Sequence, residues 1–229
     1  MGSMVPDFEY FIRLRDFRRY SHTFWGMFWF DIPLGLAFLF LFHNVVRNTL
    51  IEHLPFSLNV RFSVFEKFNW NEYFKRNTIV VLISLLVGIA SHLFLDSFTH
   101  NGGYFAEVIP LLNDKYYILD HRFTGATIFQ YLGSVIGGLI MVIYIFNFPE
   151  GRNTRRDNIL YFWLLVSLIA FMVVNIRLYL DYVLNEHNHE DIIVTSIAGF
   201  LLGIVVLSVF LKESSSRQLY KKLEKVRNK

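Results

Sequence analysis

The sequence predicts an all-α membrane protein, a polytopic bundle of about five transmembrane helices with additional interfacial helices. Hydrophobic residues make up 54% of the 229 residues and charged residues only 18%, whereas a soluble domain carries about 25% charged residues. The apolar residues are gathered in five blocks of roughly the 20 residues that cross a bilayer. Buried helices of a soluble protein are the alternative, but five such blocks leave too little polar surface to coat one.

Each block is marked by polar or charged residues at one end or within it. The first follows a Ser-His-Thr turn, the second ends in a His-x-x-x-Asp pattern, the third follows Asp-His-Arg, the fourth contains an arginine, and the fifth precedes a basic tail. The predicted spans are residues 24–42, 79–98, 126–146, 159–180 and 192–211. We expect a single integral-membrane domain over 1–229 and no cleavable signal peptide, because the first block lacks a small-residue cleavage site and further spans follow it.

Three segments outside the spans have a predicted position. Residues 6–20 and 54–76 mix aromatic and basic residues, which is typical of helices that lie in the membrane interface. Anion binding by the arginines of 6–20 is a second interpretation. Residues 212–229 are polar and basic, and we expect a cytoplasmic tail that contacts anionic lipid. Nucleic acid is not an expected partner, because the net charge of +3 is modest.

The distribution of Lys and Arg predicts the orientation. The connections 42–78 and 147–158 and the tail after Leu211 carry five, three and seven of them, 15 in all, against 6 on the opposite side. Because basic loops stay cytoplasmic, the C-terminus should be cytoplasmic. We expect the N-terminal segment and the 99–125 loop to face outward.

Four histidines have no expected ligand role, because histidine commonly occurs at the ends of loops. They are His43, His53, His187 and His189.

Other histidines and aspartates collect at the outward end of this topology. His92 and Asp96 are four residues apart, so both lie on one face of the second span. An imidazole and a carboxylate so placed are suitable zinc ligands, and ionisable groups at membrane depth are usually functional. The alternative is a His–Asp hydrogen bond that locks two helices without a metal.

Further residues of the same types come from other loops. Asp7 lies at the start of the chain, His22 precedes the first span, and His121 precedes the third. We therefore predict a divalent-metal site, zinc by preference, with Asp7, His22, His92, Asp96 and His121 as candidate ligands. The absence of cysteine excludes thiolate ligands, disulfides and Cys nucleophiles.

The chain resembles the bacterial membrane family called domain of unknown function 4184. Four strings carry the resemblance, 2–11 (GSMVPDFEYF), 20–23 (YSHT), 88–103 (GIASHLFLDSFTHNGG) and 130–133 (QYLG). That family is similar to membrane-bound metal-dependent hydrolases related to the helical zinc phospholipase C fold. The resemblance implies Asp7, His22, His92 and Asp96 as ligands, whereas His121 is inferred from its proximity alone.

One departure from the pattern concerns the start of the chain. Proteins of this type open with a further helix carrying Ser-His-Pro, whereas this chain begins almost at Pro6. A truncated chain or a late start codon would account for the difference, and a ligand on that helix would then be missing.

Two functions follow as hypotheses. The first is a hydrolase that cleaves an ester or phosphoester of a membrane lipid or lipid-linked substrate at the extracytoplasmic face. Asp120 or Glu107 is the candidate general base, and Arg122 or Arg177 would stabilise developing charge. The second is a non-catalytic bundle in which the cluster is a structural metal site or a polar lock. Asp31 and Arg177 lie within predicted spans, and either could line a polar cavity. Arg177 and Asp181 are four residues apart, so an ion pair between them is the simpler interpretation of Arg177. A transporter has little support, because no inverted repeat is visible.

Overall fold

The computed structural model describes residues 1–15, 19–100, 102–118, 120–184 and 191–227. These are helical almost throughout, with one antiparallel two-stranded hairpin, so the predicted all-α fold is confirmed. The α-helices are α1 Phe8–Arg13, α2 Ile32–Leu41, α3 Arg47–Glu52, α4 Phe56–Phe62, α5 Trp70–Arg76, α6 Thr78–Thr99, α7 Tyr104–Val108, α8 Pro110–Asn113, α9 Gly125–Phe146, α10 Ile159–Leu184 and α11 Asp191–Arg227. The strands are β1 Lys115–Ile118 and β2 His121–Thr124.

Short helical turns of other types complete the chain. There are 3₁₀ turns at Gly2–Asp7 and Ser63–Phe65 and π turns at Met27–Asp31 and Phe42–Val46. Five helical runs are long and apolar enough to cross a membrane, as predicted for a multi-pass membrane protein. They are Met27–Glu52, Thr78–Val108, Gly125–Phe146, Ile159–Val183 and Asp191–Glu213.

The first span is irregular at its beginning for a local reason. Pro33 stands at the start of α2, where it donates no backbone hydrogen bond and its ring crowds the preceding turn. The wider π turn Met27–Asp31 directly precedes it, and such turns are frequent at functional sites. The π turn ends at Asp31, whose side chain is fully buried.

The N-terminal segment lies against α6. A Cβ atom at Gly88 would come within 2.8 Å of the Gly2 Cα, so the two backbones touch where neither residue has a side chain. Val5 and Ile89 are fully buried beside this contact. Within the segment 6–20, where an interfacial helix is expected, the helix α1 spans Phe8–Arg13.

The helices α10 and α11 pack closely along one another. A Cβ atom at Gly203 would lie 2.9 Å from the Val166 carbonyl oxygen, and Phe162, Val166 and Ile204 form a buried cluster with Val46 of the first span. This pair of helices therefore packs against the first span at the basic end of the bundle, the end whose connections and tail carry most of the Lys and Arg residues.

At the other end of the pair, Arg177 makes the expected ion pair with Asp181. The Arg177 Nη2 atom is 2.9 Å from the Asp181 Oδ1 atom and 3.2 Å from the Asp191 Oδ2 atom. All three side chains are buried, so a cation at membrane depth is compensated by two carboxylates of the neighbouring helical turns.

The connection between α6 and α9 is more structured than expected from a loop. The short helices α7 and α8 bury Ala106 and Leu112 against Ala126 at the start of α9. The hairpin of β1 and β2 follows α8, with Ile118 paired to His121 next to its turn.

The Gly2–Gly88 contact predicts that alanine at position 88 lowers the stability, whereas alanine at an open glycine position does not. Gly88→Ala places a methyl group against backbone and should lower the stability in detergent by about 1–3 kcal/mol, because a packed site cannot relax around backbone atoms. Gly137→Ala on α9 is the matched control, since nothing lies within 4 Å of a Cβ atom there. Thermal unfolding of both variants decides the point, and equal stability of the two would contradict the backbone contact.

Candidate metal centre

Three separate segments bring histidine and aspartate side chains to the C-terminal half of α6. Asp7 is the last residue of the 3₁₀ turn Gly2–Asp7, and His22 belongs to the turn that precedes the first span. His92 and Asp96 lie one helical turn apart on α6. The predicted convergence of these four residues is observed.

The distances between their polar atoms are short. The His22 Nε2 atom lies 3.1 Å from Asp96 Oδ2 and 3.9 Å from Asp7 Oδ1. The His92 Nε2 atom lies 3.4 Å from Asp96 Oδ2 and 3.5 Å from Asp7 Oδ1. Asp7, His22 and His92 each bring one ligand-type atom within 4.8 Å of the other two, and Asp96 contacts both imidazoles.

This spacing suits a single small cation. In a tetrahedral zinc site the bonds to nitrogen and oxygen are about 2.0–2.1 Å, so neighbouring ligand atoms lie roughly 3.3 Å apart. The four nitrogen–oxygen distances, from 3.1 to 3.9 Å, lie around that value. Two imidazoles and two carboxylates are also ligand types that zinc accepts.

The Nε2 atoms of His22 and His92 are buried and make no directed hydrogen bond among the described residues, although Asp96 lies close to both. A buried polar atom without a hydrogen-bond partner is costly and calls for an explanation. The donor set of these four side chains therefore fits a divalent metal.

The other nitrogen of the His22 imidazole has a partner, since His22 Nδ1 is 3.0 Å from Ser21 Oγ. The main chain of Ser3 lies next to the His92 imidazole. Ser21 donates its hydroxyl proton to Glu9 Oε2 at 2.7 Å, so Ser21 Oγ is left to accept from His22 Nδ1. The Nε2 lone pair of neutral His22 then faces the carboxylates, an arrangement that a cation between them would stabilise.

Glu9 anchors the His22 turn, and sequence reasoning did not select it. Its carboxylate accepts hydrogen bonds from the Arg13 guanidinium, from the Ser21 hydroxyl and from backbone N–H groups of Arg19, Tyr20 and Ser21. Burial by itself raises the pKa of Glu9, but these hydrogen bonds outweigh it and lower the pKa to about 2. The only sequence signal was an acid within the aromatic run Phe8-Glu9-Tyr10.

His22 itself has a strained backbone. Its φ is 62°, a left-handed conformation that is uncommon outside glycine and concentrates at functional sites. The Thr23 hydroxyl donates to the Tyr20 carbonyl oxygen at 2.8 Å and accepts from the Gly26 N–H at 2.9 Å. The Glu9 contacts on one side and the Thr23 turn on the other hold this conformation.

Asp96 also connects the cluster to the exterior. Its Oδ2 atom faces His22 and His92, whereas its Oδ1 atom lies 3.4 Å from His100 Nδ1. His100 is partly exposed at the end of α6. The carboxylate thus contacts three histidines, of which His100 is the one nearest to solvent.

The remaining predicted site residues lie elsewhere. Asp120, His121 and Arg122 are exposed on the hairpin, and within the described ranges no ion pair joins them to the four cluster residues. The roles predicted for these three therefore remain predictions. His187 and His189 lie outside the described residues.

The histidines at the basic end have structural contacts. His43 stacks on Trp70 with ring centroids 4.5 Å apart. His53 is fully buried, stacks on Phe162 and has its Nδ1 atom 2.7 Å from the Thr49 carbonyl oxygen. These contacts give both imidazoles a structural role.

Comparison with known proteins gives one match. The family model described as Domain of unknown function (DUF4184) matches residues 1–209. No curated protein and no solved structure matches the chain.

The hydrogen-bond donors around Glu9, which we call its cage, predict how the stability of the protein depends on pH. The pKa of Glu9 falls from 4.5 to about 2 on folding, so its stabilisation is complete above pH 4.5 and disappears as the pH falls through 2. The shift corresponds to roughly 3 kcal/mol. Glu9→Gln should lower the stability at pH 7 and flatten its decline between pH 4.5 and 2.

Thermal unfolding in one detergent across this pH range measures the effect. Glu72→Gln is the control, because Glu72 is exposed on α5 and its pair with Arg76 contributes little. A Glu9→Gln profile parallel to that of the unaltered protein would contradict the role of the cage.

Proposed function

The chain belongs to the family of the Domain of unknown function (DUF4184), and we propose that it is a membrane-embedded metal-dependent hydrolase. The observation that carries the proposal is the convergence of Asp7, His22, His92 and Asp96, with two buried Nε2 atoms directed at two carboxylates. The ligand spacing, the donor types and the hydrogen bonds behind His22 support a divalent cation, zinc by preference.

The chemistry would be hydrolytic. Three of these side chains, such as Asp7, His22 and His92, or all four around a five-coordinate ion, would leave one position for water, and a zinc ion held there would supply hydroxide near neutral pH. The protein's part is to hold the ligands in place, through Ser21 and Glu9 behind His22 and through the Ser3 main chain behind His92. Asp120 as general base and Arg122 as the group that stabilises developing charge belong to the same proposal.

The surroundings support a lipid or lipid-linked ester or phosphoester as substrate. The residues that follow His22 form an exposed aromatic patch, which we define as Phe24, Trp25, Phe28 and Trp29. Aromatic side chains are enriched where a span meets the membrane interface. An amphiphile anchored there would present its headgroup next to the metal ligands.

The sidedness is part of the proposal. The 15-to-6 distribution of Lys and Arg favours a cytoplasmic C-terminus in a bacterial inner membrane, and the cluster would then face the outer leaflet. The substrate would thus be reached from the extracytoplasmic side.

A second candidate is a non-catalytic bundle with a polar lock. The contact of 3.1 Å between His22 Nε2 and Asp96 Oδ2 favours it, because an imidazolium would make the same contact as an ion pair. Such a lock would join the N-terminal segment to α6 without a metal, and a structural metal would serve equally.

Hydrolysis and metal content, measured together, separate the two candidates. The protein is purified without chelator, reconstituted in phospholipid vesicles and given a chromogenic phosphodiester and a chromogenic carboxylic ester. We expect about one zinc per chain at the single cluster, and hydrolysis that stops on chelation and returns with zinc. His92→Ala and Asp96→Ala should each remove both signals, and the double variant should be no worse, because ligands of one ion act as a unit.

His43→Ala is the matched control, since His43 lies at the opposite end of the first span. A second variant, His121→Ala, asks whether the hairpin adds a ligand. Zinc near zero after repletion, with both single variants merely less heat-stable, would favour the polar lock. Full zinc retention by His92→Ala would end the case for the hydrolase.

The orientation has its own test in this cysteine-free chain. Asn113→Cys at the end of α8 should react with an impermeant maleimide in intact cells, because that connection faces outward. Asp157→Cys, between α9 and α10, should react only after lysis. Both positions are exposed, and labelling of Asp157→Cys in intact cells would reverse the topology.

A further inference from the structure

Asp31 is a buried carboxylate whose surroundings within the described chain do not compensate its charge. It lies within the first span and its side chain is fully buried. Neither of its carboxylate oxygens has a hydrogen-bond partner among the described residues. A buried ionised carboxylate is costly unless it is paired, and acids at membrane depth usually mark a functional site.

The residues around Asp31 indicate where a group that compensates its charge could lie. The apolar residues Val5, Met27 and Ile89 form the core next to the π turn that ends at Asp31. Ile32, the residue after Asp31, packs against this core, and so does Leu93, the residue after His92. Asp31 therefore lies close to the segments that carry the metal cluster.

The other buried charges of this end are already compensated. Glu9 has its cage of N–H and O–H donors together with Arg13, and Arg177 is held by Asp181 and Asp191. Asp31 has no comparable partner within the described part of the chain. What would compensate it is a positive charge in the cluster, where two imidazole nitrogens face two carboxylates.

We propose that Asp31 is a further residue of the cation site, an ionised carboxylate that faces the bound divalent metal from the membrane interior and strengthens its binding. It acts through its charge or through a water on the metal, because its oxygens lie outside the group of ligand atoms that Asp7, His22 and His92 form. The inference rests on the proposed function, because it assigns a third carboxylate to the same site. The π turn before Pro33 would then orient this side chain towards the interior of the bundle.

The test compares zinc affinity with stability of the metal-free protein. Zinc is titrated into the full chain in detergent against a chromophoric chelator, and thermal unfolding is recorded with and without zinc. Asp31→Asn keeps the volume and removes the charge. It should weaken zinc binding by about 10- to 100-fold, as removal of supporting carboxylates does elsewhere, yet raise the unfolding temperature of the metal-free protein.

Asp181→Asn is the matched control, a buried carboxylate at the same end that has its own cation. It should leave the zinc affinity within about twofold, because it lies outside the cluster, and lower the stability with and without zinc, because it leaves Arg177 partly uncompensated.

The outcomes distinguish this inference from the function on which it rests. An unaltered protein that binds no zinc overturns the proposed function and the inference together. An unaltered protein that binds zinc, beside an Asp31→Asn variant of equal affinity, overturns the inference alone. An Asp31→Asn variant that fails to fold, or is less stable with and without zinc, also overturns it, because a structural role alone predicts that result.

Discussion

The contact between the Gly2–Asp7 turn and α6 is the constraint on which the candidate site depends. Two glycines allow the backbones to touch, since a Cβ atom at Gly88 would lie 2.8 Å from the Gly2 Cα. Because the contact is this close, Asp7 reaches His92, and the Ser3 main chain reaches the same imidazole. The cluster is thus assembled by backbone packing rather than by attraction between the polar groups themselves.

The turn that carries His22 adds the second half of the cluster. Glu9 lies just beyond Asp7, and its buried carboxylate binds the backbone of residues 19–21. The same contacts that satisfy Glu9 therefore hold His22 opposite α6. A carboxylate of this kind stabilises the site without belonging to it, since its oxygens are occupied by N–H and O–H donors.

Several buried polar groups at the basic end are held by protein partners. Arg47 donates to the carbonyl oxygens of Glu66 and Phe68, and Asn59 donates to that of Ile51. Such contacts fasten the 54–76 segment to the spans and require no ligand. Buried polar atoms without a hydrogen-bond partner occur at both ends of the described chain, since those at the basic end include His53 Nε2, Trp70 Nε1 and Ser208 Oγ. The end that carries the cluster is therefore distinguished by the convergence of two imidazoles and two carboxylates, and not by unpartnered atoms alone.

The sequence alone determined the class of fold, because five apolar blocks of spanning length have one stable solution in a membrane. It also selected His92 with Asp96, which are neighbours through helix periodicity, and it grouped Asp7 and His22 with them through the predicted topology and the family resemblance. Tertiary structure alone showed that Glu9 is held by N–H and O–H donors and that Asp31 is buried without a hydrogen-bond partner among the described residues, because burial and hydrogen bonds of this kind have no sequence pattern. It also decided that Asp7 and His22 contact α6 whereas Asp120, His121 and Arg122 lie exposed on the hairpin, since contact between distant segments depends on backbone packing that no local pattern encodes.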